Sequence, residues 1–133
     1  MGDVGPTRTT PGLTLDAGAL IAFERRDRRV AAIVLRALER GVPLAVPAGA
    51  LAQAVRGGAG TPLRALLADP IVRVEDLTRA LALAAGELCA AAGTADVVDA
   101  SVALVARRYG GRVATGDAAD LRRLDRTLDV VPV

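Results

Sequence analysis

The sequence predicts an α/β domain with a mainly parallel sheet of four or five strands. Short apolar runs alternate along the chain with longer stretches in which apolar residues recur at helical spacing. No internal repeat and no long linker divides the 133 residues, and a chain of this length typically forms one domain. Strands that alternate with helices favour a parallel sheet whose two faces are both covered by helices.

The first half of the chain contains two predicted strands and three predicted helices. In order, these are a strand at 12–15, a helix at 17–23, a helix at 28–40, a strand at 43–46 and a helix at 47–56. Asp27 is predicted to cap the second helix, and Gly41 to end it. Pro47 opens the third helix, and a Gly-rich turn at 57–60 follows it.

The second half repeats the alternation. In order, the predicted elements are a helix at 61–68, a strand at 71–74, helices at 76–92 and 96–109, a strand at 112–115, a helix at 117–125 and a strand at 128–131. Thr61 is predicted to cap its helix, with Pro62 at the first helical position. The pair Asp69-Pro70 ends that helix, because proline cannot continue it.

The composition excludes several kinds of catalytic site. The chain has no His and no Lys, so it can form neither a Ser-His-Asp triad nor the lysine of a phosphate-binding P-loop. A single Cys, at position 89, excludes an internal disulfide and a zinc site with several cysteines. Chemistry in this protein must therefore depend on carboxylates, hydroxyls, arginine and bound ions.

Charge and hydropathy set further expectations. The net charge of +2 is compatible with a nucleic-acid partner. Because the chain has only two aromatic residues, it would bind a nucleic acid mainly through contacts between arginine side chains and phosphates. No apolar run is long enough for a membrane span, and residues 1–11 are too polar for a signal peptide. We expect a disordered tail at 1–11, a domain at 12–133 and a cytoplasmic protein without membrane contact.

Several aspartates are predicted to meet at one edge of the sheet. Asp16 directly follows the first strand, and Asp117 follows the fourth strand with one residue, Gly116, between them. The carboxyl ends of parallel strands share one edge, where ligands bind. Asp96 and Asp99 lie three residues apart in the opening turn of a helix, hence on one helix face that can reach the same edge.

Two interpretations of these aspartates compete. Asp16, Asp96 and Asp117 each stand where a helix cap is expected, and any one of them alone is best explained as a cap. Together they form a cluster whose charges repel unless a cation lies among them. Mg²⁺ or Mn²⁺ prefers such oxygen ligands and can lower the pKa of a bound water, which suits a protein without His.

Three segments resemble parts of the PIN-domain family. Residues 15–22 (LDAGALIA) resemble the family's opening strand and helix, and residues 99–106 (DASVALVA) its helix carrying the third acid. Thr115-Gly116-Asp117, followed by Asp120, is similar to its closing segment. The resemblance covers about residues 12–133 and implies a three-layer α/β/α domain.

The resemblance is strongest to VapC-type toxins of bacterial toxin–antitoxin pairs. It implies an endoribonuclease dependent on Mg²⁺ or Mn²⁺, a homodimer, and a small antitoxin that covers the acidic site. Asp16, Asp99 and Asp117 would be metal ligands and catalytic, and Asp96 would be an accessory catalytic acid or a group that supports the ligands without contacting the metal. Thr115, through hydrogen bonds, and Asp120 would support the metal ligands without contacting the metal.

One position departs from the family pattern. Gln53 stands where the family places a glutamate on the helix after the second strand. An amide can hold water or a metal but has no charge and cannot act as a base. Either Gln53 supports the site and Asp96 could supply the missing charge, or Gln53 is an ordinary surface residue. The alternative function is a weak or inactive PIN-like module that binds an antitoxin or RNA.

Two further hypotheses concern other parts of the chain. Arg25, Arg26, Arg28 and Arg29 could bind RNA phosphates, or form a solvated face paired with Glu24 and Asp27. A phosphotransfer enzyme with Asp16 as nucleophile is disfavoured, because Gly18 stands where a second Asp is expected and no Lys exists.

Overall fold

A five-stranded, fully parallel sheet forms the centre of the protein. The computed structural model describes residues 11–133, so of the predicted tail only the exposed Pro11 lies within the described residues. In chain order the strands are β1 (Leu13–Leu15), β2 (Leu44–Pro47), β3 (Val72–Glu75), β4 (Arg112–Thr115) and β5 (Asp129–Pro132). In the sheet they lie in the order β3-β2-β1-β4-β5, and every neighbouring pair is parallel. The predicted fold class is confirmed.

Seven helices cover the sheet. They are α1 (Ala17–Glu24), α2 (Arg28–Glu39), α3 (Ala48–Val55), α4 (Thr61–Ala68), α5 (Arg79–Ala92), α6 (Val97–Arg108) and α7 (Ala118–Leu124). Crossovers between parallel strands are right-handed, so α1 to α4 cover one face and α5 to α7 the other. Consistently, α5, α6 and α7 contact one another, and α6 lies against β1 and β2.

The burial of each strand explains its composition. The central strands β1 and β2 are buried along their whole length, which requires the continuous apolar runs seen in the sequence. Arg112 at the start of β4 is exposed, and the rest of that strand is buried. The edge strands β3 and β5 are only partly buried.

No single helix within residues 11–133 has the length and apolar composition needed to cross a membrane. The pair α5 and α6 reaches that composition only when the two are taken together, across a bend of 110°. Six residues of α6 are buried inside the domain.

The strand order places a crevice beside β1. From β1 the chain crosses to β2 on one side, and it later returns to β4 on the other side. The carboxyl ends of β1 and β4 therefore lie next to each other where the direction of winding reverses, which is where open α/β sheets bind ligands. Asp16 follows β1 directly, and Asp117 follows Thr115 of β4 by two positions.

Two predicted helix starts are wrong. Helix α5 begins at Arg79 rather than at Asp76, because the Thr78 hydroxyl accepts a hydrogen bond from Leu81 N at 3.1 Å. Helix α4 is capped at Gly60, and Thr61 is its first residue rather than its cap. No local side chain caps α4.

Glu24, at the end of α1, supplies the missing cap of α4. Its two carboxylate oxygens accept hydrogen bonds from Gly60 N at 2.9 Å and Leu63 N at 3.0 Å. A Cβ atom at residue 60 would collide with this carboxylate, so a larger residue there would force the Glu24 side chain to move. A negative charge also interacts favourably with the amino-terminal end of a helix. Glu24 therefore joins the end of α1 to the start of α4 across 36 residues of chain.

We predict that Glu24→Ala lowers the free energy of unfolding by about 1–2 kcal/mol, the usual cost of losing a helix cap. The measurement is urea denaturation followed by circular dichroism. Glu24→Gln, which keeps one acceptor oxygen, should lose less. Glu39→Ala is the control, because Glu39 is exposed at the end of α2. Equal stabilities of the Glu24 and Glu39 variants would show that the cap is unimportant.

Candidate metal centre

Asp16 connects the two loops that border the crevice. It is only 3% exposed, and its Oδ1 accepts hydrogen bonds from Ala19 N at 2.8 Å and Gly116 N at 3.4 Å. Burial raises the pKa of Asp16, while its hydrogen bonds to Thr115, Ala19 and Gly116 act in the opposite direction. Asp16 is therefore both the cap of α1 and a carboxylate at the edge of the sheet, so the two competing interpretations are compatible.

Two glycines let these loops approach each other. A Cβ atom at Gly18 would lie 3.2 Å from both the N and the Cα atom of Gly116, closer than such contacts ordinarily are. The small residues around Asp16 and Asp117 therefore serve the contact between the β1–α1 and β4–α7 connections. That contact brings the aspartates of distant segments together.

Asp99 is the most perturbed acid of this site. Burial, followed by the charges of Asp96, Asp117 and Asp16, raises its pKa to about 7. Its Oδ2 atom is buried and has no hydrogen-bond partner within residues 11–133. A buried oxygen without a partner and a strongly raised pKa both indicate that this environment favours protonation of the carboxylate or a cation beside it.

Asp117 and Asp120 complete a tight group with Asp99. One carboxylate oxygen from each lies within 4.8 Å of the others, and both Asp117 and Asp120 are exposed. Desolvation and the neighbouring Asp120 raise the pKa of Asp117. The sequence suggested only a supporting role for Asp120, whereas the structure brings one of its carboxylate oxygens within 4.8 Å of one from Asp99 and one from Asp117. Asp16 lies outside this group of three, in the adjoining cavity.

A cavity of about 200 Å³ lies between these acids. The side chains that line it are those of Asp16, Gln53, Asp96, Asp99 and Asp117. Gln53 is thus at the site although it is exposed, and Asp96 reaches the cavity while it caps α6 through Asp99 N at 2.9 Å. The buried Thr115 holds the Asp117 backbone, because its Oγ1 accepts from Asp117 N at 2.7 Å.

The residues present fit a hard divalent cation. Every candidate donor is an oxygen, and several are carboxylates, as Mg²⁺ and Mn²⁺ prefer. A cation would also satisfy the Oδ2 atom of Asp99 and offset the mutual repulsion of the acids.

All four arginines suggested for RNA binding are exposed, and Arg25 lines two cavities beside the acid site. RNA binding by these arginines stays a prediction. Their predicted pairing with Glu24 and Asp27 is wrong. Within the described part of the chain those carboxylates form no ion pair and accept backbone N–H groups instead.

One arginine of this region was missed by the sequence analysis. Arg56 follows α3 and lines the larger of the two cavities that contain Arg25. In the sequence, the position of Arg56 beside the Gly-rich 57–60 turn is the feature that could have drawn attention to it. Only the fold shows that this turn lies next to the end of α1.

The fold and the acids together define a class: parallel α/β proteins that can hold a divalent cation at the crevice of the sheet. The PIN domain family model matches residues 13–127, nearly the whole chain, and this chain belongs to that family.

Solved structures show the same fold. The structure of FitAB bound to an IR36 DNA fragment aligns with a TM-score of 0.64 at 17% identity, covering 90% of this chain and 94% of that chain. VapBC2 from Rickettsia felis, bound to a promoter DNA fragment, aligns with a TM-score of 0.62 at 14% identity, covering 91% of this chain and 98% of that chain. A comparison with curated proteins gives no match.

We predict that the metal-free protein becomes less stable as the pH rises from 5 to 7.5. The pKa of Asp99 is raised from 3.8 to about 7 by folding, so between these values the folded state binds more protons than the unfolded state. Rising pH then favours unfolding. The measurement is the melting temperature in EDTA at a series of pH values.

Asp99→Asn should flatten this pH dependence. At pH 7.5 it should raise the melting temperature by about 4 °C, the shift that roughly 1 kcal/mol produces in a domain of this size after allowance for solvent screening. Asp76→Asn, a change at an exposed acid, is the matched control. A melting temperature of Asp99→Asn that follows the same pH profile as the unmodified protein would contradict the assignment.

Proposed function

We propose that this protein is an endoribonuclease that depends on Mg²⁺ or Mn²⁺ and serves as the toxin of a type II toxin–antitoxin system. The observation that carries the proposal is the partnerless Oδ2 atom of Asp99, set among acids at the crevice of a PIN-domain fold. PIN domains are generally nucleases, and the chain supplies the carboxylates that such chemistry needs without His or Lys.

The acids divide into two neighbouring groups around Asp99. Asp99, Asp117 and Asp120 have carboxylate oxygens close enough to share one ion, and Asp16 and Asp96 line the same cavity as Asp99 and Asp117. When bound, a divalent cation supplies Lewis-acid chemistry: it lowers the pKa of a coordinated water and neutralises charge on a phosphodiester. Every proposed metal ligand, Asp16, Asp99 and Asp117, lines the same cavity.

The other residues of the cavity position these ligands. Thr115 accepts a hydrogen bond from the Asp117 backbone, and its side chain interacts with Asp16, so it links the loop after β4 to the carboxylate after β1. Asp96 fixes the first turn of α6 and hence the direction of Asp99. Gln53 presents an amide that can donate a hydrogen bond to a phosphate oxygen and accept one from a water molecule.

The proposed partners follow from the resemblance to VapC-type toxins. The similar structures are of FitAB and VapBC2, both bound to DNA. We propose that this chain likewise pairs with a small antitoxin that covers the acid cavity, forms a homodimer, acts on RNA and works in the cytoplasm.

We predict that Asp99→Asn and Asp16→Asn each reduce Mn²⁺-dependent RNA cleavage by about 10³-fold or more, a scale typical of losing a group that acts on the transition state. Asparagine keeps the oxygen that caps α1 at Asp16, so the fold should survive. The measurement is cleavage of a labelled single-stranded RNA, with circular dichroism as the folding check.

Asp129→Asn is the control for cleavage. Asp129 is exposed and begins β5, at the end of the sheet opposite the acids. Undiminished cleavage after Asp16→Asn would contradict the nuclease proposal.

A second candidate function is a PIN-like module that binds an antitoxin or RNA but cleaves poorly. Gln53 favours it, because it brings a neutral amide to the cavity where the family resemblance implies a glutamate. Isothermal titration calorimetry with Mn²⁺ separates the two candidates. Binding of the ion that is lost in Asp99→Asn supports the nuclease, whereas no detectable ion supports the binding module.

Gln53→Glu tests whether the missing charge limits the site. We predict that it tightens Mn²⁺ binding on the order of tenfold, because each added carboxylate increases affinity for a hard cation. It should also lower the melting temperature in EDTA at pH 7.5, because the new charge adds to the repulsion around Asp99. Gln53→Ala is the control that removes the amide without adding charge. An unchanged Mn²⁺ affinity in Gln53→Glu would show that residue 53 is too far from the ion to matter.

A further inference from the structure

A large groove adjoins the acid cavity. Its volume is about 640 Å³, and it lies between the end of α1 and the connection from α3 to α4. Arg25, Gln53, Arg56 and the 57–60 loop line it. Because Gln53 lines both this groove and the acid cavity, the two spaces are neighbours along the surface.

A further cavity of about 420 Å³ extends this surface along α1. It shares Ile21 and Arg25 with the groove, and Gly18 with the acid cavity. The exposed side of α1 is thus bordered by open space from the acids at its start to Arg25 at its end.

The positive charges of the groove are not neutralised by the described protein. Within residues 11–133, neither Arg25 nor Arg56 has a carboxylate oxygen within 4.0 Å, whereas Arg107, Arg108 and Arg112 each form an ion pair. Glu24 also lines the groove, but both of its carboxylate oxygens accept hydrogen bonds, from Gly60 N and Leu63 N. Two exposed guanidinium groups therefore remain able to bind an anion.

The chemistry of the lining favours phosphate over a base or a peptide helix. The lining contains no aromatic residue, so bases cannot stack on it. Its apolar side chains are only Ile21, Ala54 and Ala59, which is little for an amphipathic helix. The loop is open around Gly58, where a Cβ atom would meet nothing within 4 Å, so an extended strand can approach the backbone.

Positive charge in this groove would favour the approach of a polyanionic substrate to the acid cavity. The acids around Asp99 repel a polyanion, and an incoming strand needs positive charge nearby to offset that repulsion. Arg25 and Arg56 line the groove that adjoins the acid cavity through Gln53.

We propose that the groove lined by Arg25, Gln53, Arg56 and the 57–60 loop binds the phosphate backbone of single-stranded RNA beside the acid cavity. This inference rests on the proposed function, whose substrate class it takes, and it assigns the contact to phosphates rather than bases. RNA sequence should therefore affect affinity at this groove only weakly.

The test is the affinity of the full chain for a short, unstructured, fluorescently labelled RNA, followed by anisotropy over a range of NaCl concentrations. Ca²⁺ replaces Mg²⁺ in this experiment, because its looser coordination suits binding without efficient cleavage. Arg25→Gln and Arg56→Gln should each weaken binding several-fold. Each should also reduce the slope of log Kd against log salt by about 0.7, the value for one phosphate contact on a single strand.

Arg112→Gln is the matched control. Arg112 is exposed at the start of β4, at the opposite end of the sheet, and pairs with Asp129 at 3.5 Å. It should leave both the affinity and the salt slope unchanged. In cleavage with Mn²⁺, the two groove variants should raise KM and leave kcat nearly unchanged, which a general loss of structure would not do.

The outcomes separate this inference from the proposed function. If the Arg25 and Arg56 variants keep the affinity and salt slope of the unmodified protein while that protein cleaves RNA, the groove inference is overturned and the nuclease stands. The groove would then be open to a protein partner. If the variants lose binding but the unmodified protein does not cleave, the groove inference stands and the nuclease fails. Absence of any RNA binding by the unmodified protein overturns both.

Discussion

The site depends on a close contact between two loops, those that leave β1 and β4. Gly18 and Gly116 bring the backbones together, and Asp16 bonds across the contact to Gly116. Neither loop could hold the acid cluster alone, because its members come from both of them and from α6. The parallel sheet sets β1 beside β4, and the glycines remove the last side-chain barrier between their loops.

The contact between the two loops has an unfavourable electrostatic contribution. Asp16, Asp99 and Asp117 all have raised pKa values, and in each case burial is the largest cause. Part of the free energy of folding is therefore lost in burying these carboxylates, and binding of a cation would recover it. The same residues also perform structural work, since Asp16 and Asp96 cap helices. Helix capping by these aspartates is thus compatible with the proposed metal binding, because one geometry allows both.

The sequence predicted most of this arrangement because the main signals are local. Apolar runs fixed the strands, and the position of Asp16 and Asp117 after two of them placed both at one edge. What it could not predict depends on distant contacts. The cap of α4 comes from Glu24, 36 residues before Gly60, so Thr61 was the best local candidate and was wrong. The close approach of Asp120 to Asp99 likewise depends on how α7 packs against α6.

The length of helix α1 sets the distance between the acids and the groove. It begins at the cap Asp16, beside the acids, and ends at Glu24 and Arg25, beside the groove. Eight helical residues rise roughly 12 Å, and each residue turns the helix by about 100°. The helix is thus a rigid spacer that sets both the separation and the relative orientation of the two regions. Insertion of one residue within it would turn Arg25 away while leaving every acid in place, so the length of α1 determines where Arg25 stands relative to the acids.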